Sequence, residues 1–94
     1  MSVRVKVPTI LRAHTDGEGQ VDGEGATVRE LLDDLEGRYP GIRARLVTDD
    51  GALHRFVNVY VNDEDVRYLG SLETEVHPGD TVSILPAVAG GASR

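Results

Sequence analysis

Only one stretch of this 94-residue chain carries a sustained helical period, and that stretch constrains everything around it. Thr27 supplies a side-chain oxygen for an N-cap, and Glu30, three residues later, completes a capping box. Val28, Leu31, Leu32 and Leu35 follow at i, i+3, i+4 and i+7, and Tyr39 extends the stripe. Arg29, Asp33, Asp34 and Glu36 fall on the other face and are expected to point to water. Gly37 weakens the end and Pro40-Gly41 stops it. A single helix with one apolar stripe must bury that stripe on a sheet.

The strands for that sheet can be read from alternation. Val3, Val5 and Val7 alternate with Ser2, Arg4 and Lys6, and Pro8 closes the run. Thr9 to Ala13 extends the chain into a turn. Residues 16–25 are rich in turn dipeptides, Asp16-Gly17 and Asp22-Gly23, and leave a short strand around Gln20 to Asp22 to pair back on the first. Ile42 to Val47 reads best as a short helical turn packing Ile42 and Leu46, and Thr48-Asp49-Asp50-Gly51 as a turn. The longest strand is expected from Leu53 to Asn62. Arg55, Val57, Val59 and Val61 share its core face, and His54, Phe56, Asn58, Tyr60 and Asn62 share the other. Asn62 to Asp65 turns the chain, Val66 to Leu72 is a short strand or a turn, and His77-Pro78-Gly79-Asp80 is a turn. Thr81 to Leu85 is the last strand, with Val82 and Ile84 inward, and Pro86 ends its pairing. The result is an α+β domain over residues 1–87, a mixed sheet of four to five strands with one main helix packed on one face, in the order of a β-grasp. Residues 88–94 are small, without period, and form a flexible tail containing Gly-Gly.

Composition removes most chemistries. With 16 Asp and Glu against 10 Lys and Arg the net charge is -6, which repels nucleic acid and anionic membranes and favours a basic protein partner. Without cysteine there is no disulfide, thiolate metal site, iron–sulfur cluster or Cys nucleophile. The N-terminus has no apolar h-region and no run is long enough to span a membrane, so the cytoplasm is the expected location. His14, His54 and His77 share no ligand spacing, so no metal is expected. Asp63 and Asp65 begin like a calcium loop, but the required Gly and Glu positions hold Tyr68 and Thr74. Gly17-x-Gly19 and Gly23-x-Gly25 stand in acidic surroundings that disfavour phosphate, and read as hairpin turns. The domain is therefore expected to have no catalytic site and to bind no cofactor of its own.

The tail is what remains. A Gly-Gly end lacks side chains, can thread a narrow channel, and presents an unhindered carboxylate if the chain stops at Gly91.

Three stretches give this feature a context: VRVKVPTILRAHT (Val3 to Thr15), LHRFVNVYVNDEDVRYLGSL (Leu53 to Leu72) and GDTVSILPAVAGG (Gly79 to Gly91). Together they resemble the ThiS/MoaD family of ubiquitin-like sulfur carriers, most closely the members that serve cysteine synthesis. The resemblance implies a β-grasp fold with Gly90-Gly91 as the acyl and thiocarboxylate terminus, and Val88 and Ala89 threading the tail into a partner. An E1-like adenylyltransferase or sulfurtransferase would use ATP to load the Gly91 carboxylate. A cysteine synthase carrying pyridoxal phosphate, or another acceptor enzyme, would take the sulfur. Both cofactors belong to those partners, and the carrier alone is expected to be a monomer. Because Ala92, Ser93 and Arg94 follow Gly91, the resemblance also implies a cleaved extension and a JAMM-type zinc metalloprotease. Phe56, Tyr60 and Leu85 either form a partner-docking face or finish a small core. Other readings stay open: the small subunit of molybdopterin synthase, a thiosugar or secondary-metabolite sulfur donor, a protein modifier joined to lysines, or an inert interaction module.

Overall fold

The computed structural model describes residues 2–55 and 57–86. Five strands form one sheet: β1 (Val3–Lys6), β2 (Gln20–Gly23), β3 (Val57–Val61), β4 (Glu64–Asp65) and β5 (Thr81–Pro86), in the order β2-β1-β5-β3-β4. β1 and β5 run parallel at the centre, pairing Val5 with Val82, and the remaining pairs are antiparallel. The main helix, α1 (Val28–Arg38), lies on one face, and a second, short helix, α2 (Ile42–Leu46), follows it. A parallel central pair, flanking antiparallel strands and one covering helix make a β-grasp fold.

α1 forms where its signals stand. Thr27 Oγ1 accepts from the Glu30 amide at 3.2 Å, while the Glu30 carboxylate accepts from the Ala26 amide at 2.9 Å, one residue earlier than in the usual capping box. Val28, Leu31, Leu32 and Leu35 are all buried, against Val3, Val5, Val59, Val82 and Ile84 from the sheet, and Tyr39 packs at the edge of this core. The helix sits close to β2: a Cβ on Gly25 would come 2.6 Å from the Leu31 amide nitrogen, a distance that excludes any side chain there. Ile42 and Leu46 of α2 are buried, as the short helical turn requires.

Several expected boundaries shift, each for a local reason. Asp22-Gly23 is not a turn: both residues belong to β2, with Asp22 paired to Arg4 and Gly23 to Val3. The connection from β1 instead runs through a 3₁₀ helix, Thr9–His14, and turns at Asp16 and Gly17, both with positive φ. β3 starts at Val57 rather than Leu53. Leu53 makes an isolated bridge to Val47, and Arg55, expected on the core face, is an exposed turn residue. The Arg67 guanidinium holds the lead-in to the strand and its first residues, donating to the carbonyls of His54 (2.9 Å) and Val57 (2.7 Å) and to Asn58 Oδ1 (2.6 Å). It occupies acceptors that a longer ladder would use.

After β3, Asn62 (φ 51°) and Asp63 (φ 74°) make a two-residue turn with both centres left-handed, which returns the chain as β4. Glu64 and Asp65 are thus strand, not turn. The Asp65 carboxylate then accepts from the Arg67 amide at 2.9 Å and bends the chain into 3₁₀ turns at Val66–Tyr68 and Ser71–Glu73, so no strand forms over Val66 to Leu72. Those turns bury Val66 and Leu72.

The acidic face of α1 is also not simply solvated. Glu36 turns back to accept from the amides of Gly41 (3.0 Å) and Arg43 (2.9 Å), Asp34 accepts from the Glu24 amide and Arg38 Nε, and Asp33 lies 2.7 Å from Arg43 Nε. Three carboxylates expected in water therefore tie the helix to the segments on either side of it.

Candidate functional site

β5 places the end of the domain. Its start is fixed by Asn62, whose amide donates to Asp80 Oδ1 at 3.0 Å while its oxygen accepts from the Thr81 amide at 3.0 Å. The Asn62 hydrogen bond, helped by the His77 amide at 2.9 Å, holds the Asp80 carboxyl below its ordinary range. From there β5 pairs on both sides and reaches Pro86, opposite Val57. Val88, Ala89, Gly90 and Gly91, together with Ala92, Ser93, Arg94 and the ring of Phe56, lie outside the described residues.

Of the expected docking residues, the structure places Tyr60 and Leu85 on the sheet face away from α1. β5 pairs Asn58 with Leu85 and Tyr60 with Ser83, so the two side chains are diagonal neighbours on adjacent strands. Tyr60 is half-buried and Leu85 is exposed. Around Tyr60 the face is polar: the register sets Gln20, Lys6, Ser83, Tyr60 and Asp65 in one row across the sheet.

The same end of β5 borders a feature that the strand pattern did not disclose. Where β1 passes into the 3₁₀ helix and β5 ends, a groove of about 520 Å³ opens between that helix, α2 and the sheet. Its floor is Leu11, Val57 and Ile84, and its rim is Ile10, Leu85 and Pro86. Ile10 is 70% exposed, a large apolar side chain standing at the edge of an apolar cavity. Arg45 and His54 are the charged or titratable groups along it. The one available sequence signal was Ile10-Leu11, two residues after Pro8, adjacent apolar residues of which a single turn can bury only one.

The position of α2, and with it Arg45, depends on Glu36. Hydrogen bonds from the Gly41 amide and then the Arg43 amide hold the Glu36 carboxyl below its ordinary range, with the Arg43 and His14 charges adding to the effect. Among the described residues no group of three His, Cys, Asp or Glu side chains could hold a metal ion, and no helix is long and apolar enough to cross a membrane.

Comparison with known proteins fits this geometry to a family. The model of the ThiS family matches residues 5–91. The chain belongs to the ThiS family. Among ThiS-family relatives, "Sulfur carrier protein CysO" of Mycobacterium tuberculosis strain H37Rv is 55% identical over 93 residues, covering 97% of this chain and 100% of that protein. A chain in the crystal structure of the Amycolatopsis orientalis BexX/CysO complex superposes with a TM-score of 0.89 at 64% identity, covering 95% of this chain and 99% of that one. The crystal structure of SAMP1 from Haloferax volcanii superposes with a TM-score of 0.78 at 31% identity, over 97% of this chain and all of that one.

Proposed function

We propose that this chain is a sulfur carrier, a protein cosubstrate without a catalytic site of its own, whose working group is the carboxylate of Gly91. The observation that carries this reading is the full-length similarity to CysO together with a family match that ends on the second glycine of the tail, five residues beyond the end of β5. After residues 92–94 are removed by a JAMM-type zinc metalloprotease, an E1-like adenylyltransferase joins the Gly91 carboxylate to AMP, releasing pyrophosphate from ATP. Sulfide sulfur, delivered free or by a sulfurtransferase, attacks the acyl carbon and displaces AMP, leaving a thiocarboxylate. That sulfur then passes to an enzyme-bound acceptor; the likeness to CysO favours a cysteine synthase carrying pyridoxal phosphate.

The sheet supports this role physically. A central β5 anchors the tail in the most heavily paired part of the domain, so a pull on the tail during transfer is resisted by ladders on both sides. Val88 and Ala89 are the residues that would thread a partner's channel, and the outer face with Phe56, Tyr60 and Leu85 is the proposed contact around it.

The test is the intact mass of the protein after incubation with the metalloprotease and then with ATP, sulfide and the E1-like enzyme. Loss of Ala92-Ser93-Arg94 followed by exchange of one oxygen for sulfur at Gly91 is expected. A chain that is trimmed to Gly91 yet never gains sulfur would falsify the carrier reading. The likeness to SAMP1, a small archaeal modifier protein, favours a second reading, a modifier joined to lysines. It predicts isopeptide conjugates through Gly91 in the same mass analysis.

A further inference from the structure

We propose that the groove at the end of β5 seats an apolar, carboxylate-bearing segment of the adenylating enzyme, with Arg45 as the ion-pair partner of that carboxylate. The proposal rests on the carrier reading. Three observations lead to it.

The first is the exposed edge. α1 covers the middle of the sheet, but at this end Leu11, Val57 and Ile84 form the floor of an open cavity, flanked by the exposed side chain of Ile10. Such a cavity is large enough for a few apolar side chains and gains free energy when one protein segment fills it.

The second is charge. The chain carries -6 overall, yet among the described residues no carboxylate lines the groove, whose charged or titratable groups there are Arg45 and His54. Three arginines are matched with carboxylates within the domain, Arg29 with Glu73 and Arg38 with Asp34 in hydrogen-bonded pairs and Arg43 with Asp33, and among the described arginines without such a pair, Arg4, Arg12, Arg45, Arg55 and Arg67, Arg45 is the one that lines the groove. Among the described residues no carboxylate lies within ion-pair distance of Arg45, whose Nε instead points to His14 Nε2 at 3.4 Å. An enzyme surface that is basic elsewhere, to match the acidic domain, must be locally acidic here.

The third is reach. Pro86 lines the groove and Gly91 is five residues further on. Five extended residues span about 17 Å. Any active site that receives the Gly91 carboxylate therefore lies within about 17 Å of Pro86, at the edge of the groove.

No residue of the polar row around Tyr60 lines the seat so defined. The measurement is ATP–pyrophosphate exchange by the E1-like enzyme as a function of carrier concentration, on the chain in the form the enzyme accepts. Arg45→Glu and Ile10→Asp are expected to raise KM about tenfold with kcat within about twofold, Arg45→Lys to retain most of the affinity, and Tyr68→Ala, which removes an exposed aromatic side chain away from the groove, to stay within about twofold. Ile10 and Arg45 are exposed, and melting curves confirm that each variant folds. An unchanged KM in both Arg45→Glu and Ile10→Asp, with the parent chain active, overturns the groove and leaves the carrier reading standing. A parent chain that is never adenylated removes both. If the parent dimerises in sedimentation and Ile10→Asp makes it monomeric at unchanged KM, the groove holds a second copy and the proposal is wrong.

Discussion

Single side chains do more in this domain than their positions in the sequence announce, and Glu36 is the clearest case. It lies on the polar side of α1, where a solvated charge is the ordinary outcome. The reversal at Pro40-Gly41 brings the first amides of α2 over it, and its carboxylate receives two of them. Those amides have no helical acceptors of their own, so the carboxylate satisfies donors that the short helix leaves unpaired. Because the folded-state pKa is lowered, this contribution is present above the unfolded-state value and disappears as pH falls through the folded one. Glu36→Gln is therefore expected to melt below the parent at neutral pH, with the two melting temperatures converging on acidification below the normal carboxylate range. Thermal unfolding followed by circular dichroism at a series of pH values measures this. A gap that stays constant down to strong acid would show that the negative charge is irrelevant.

At the level of elements, the strands show where pattern suffices and where it does not. α1, β1 and β5 were legible because each carries its own instructions: a capping box and stripe, or two to three alternating β-branched residues. β3 was legible in its face but not its length. Val57, Val59 and Val61 are buried as the alternation requires, yet the strand begins four residues later than the apolar run suggests. The lead-in is held instead by Arg67, nine or more residues downstream, and no local pattern contains that information. β4 escaped notice because two residues at positive φ, neither of them glycine, return the chain at Asn62-Asp63. Arg67 also yields a prediction. Arg67→Ala removes three hydrogen bonds from a cationic fork to β3 and its lead-in, and is expected to cost about 1–2 kcal/mol in urea denaturation. Arg67→Lys should recover little of it, because one ammonium cannot reproduce the planar fork that spans two carbonyls and an amide oxygen. Full rescue by lysine would mean that charge alone matters there.

For the molecule as a whole, one small core carries the stability. A chain of this length is held by roughly 5–14 kcal/mol, and Leu31 sits at the centre of the helix–sheet contact without solvent exposure. Leu31→Ala is expected to cost about 2–5 kcal/mol, a large share of the total, and calorimetry should show a much lower melting temperature. The candidate site divides differently between sequence and structure. The Gly-Gly tail is legible because it is a local motif. The groove is not, because its walls come from the first ten or so residues, the short second helix and the last strand. Only the parallel pairing of β1 with β5 brings those walls together.

That pairing also sets an order in time. The two strands at the heart of the sheet are the first and the last of the five described strands in chain order, so the nascent chain cannot close its core until synthesis has passed Pro86. A half-made chain can display α1, but never the groove, whose opposite sides are some seventy residues apart along the sequence. Chains broken off before β5 are thereby invisible to any enzyme that recognises the groove, and only molecules with a finished sheet would enter the sulfur cycle.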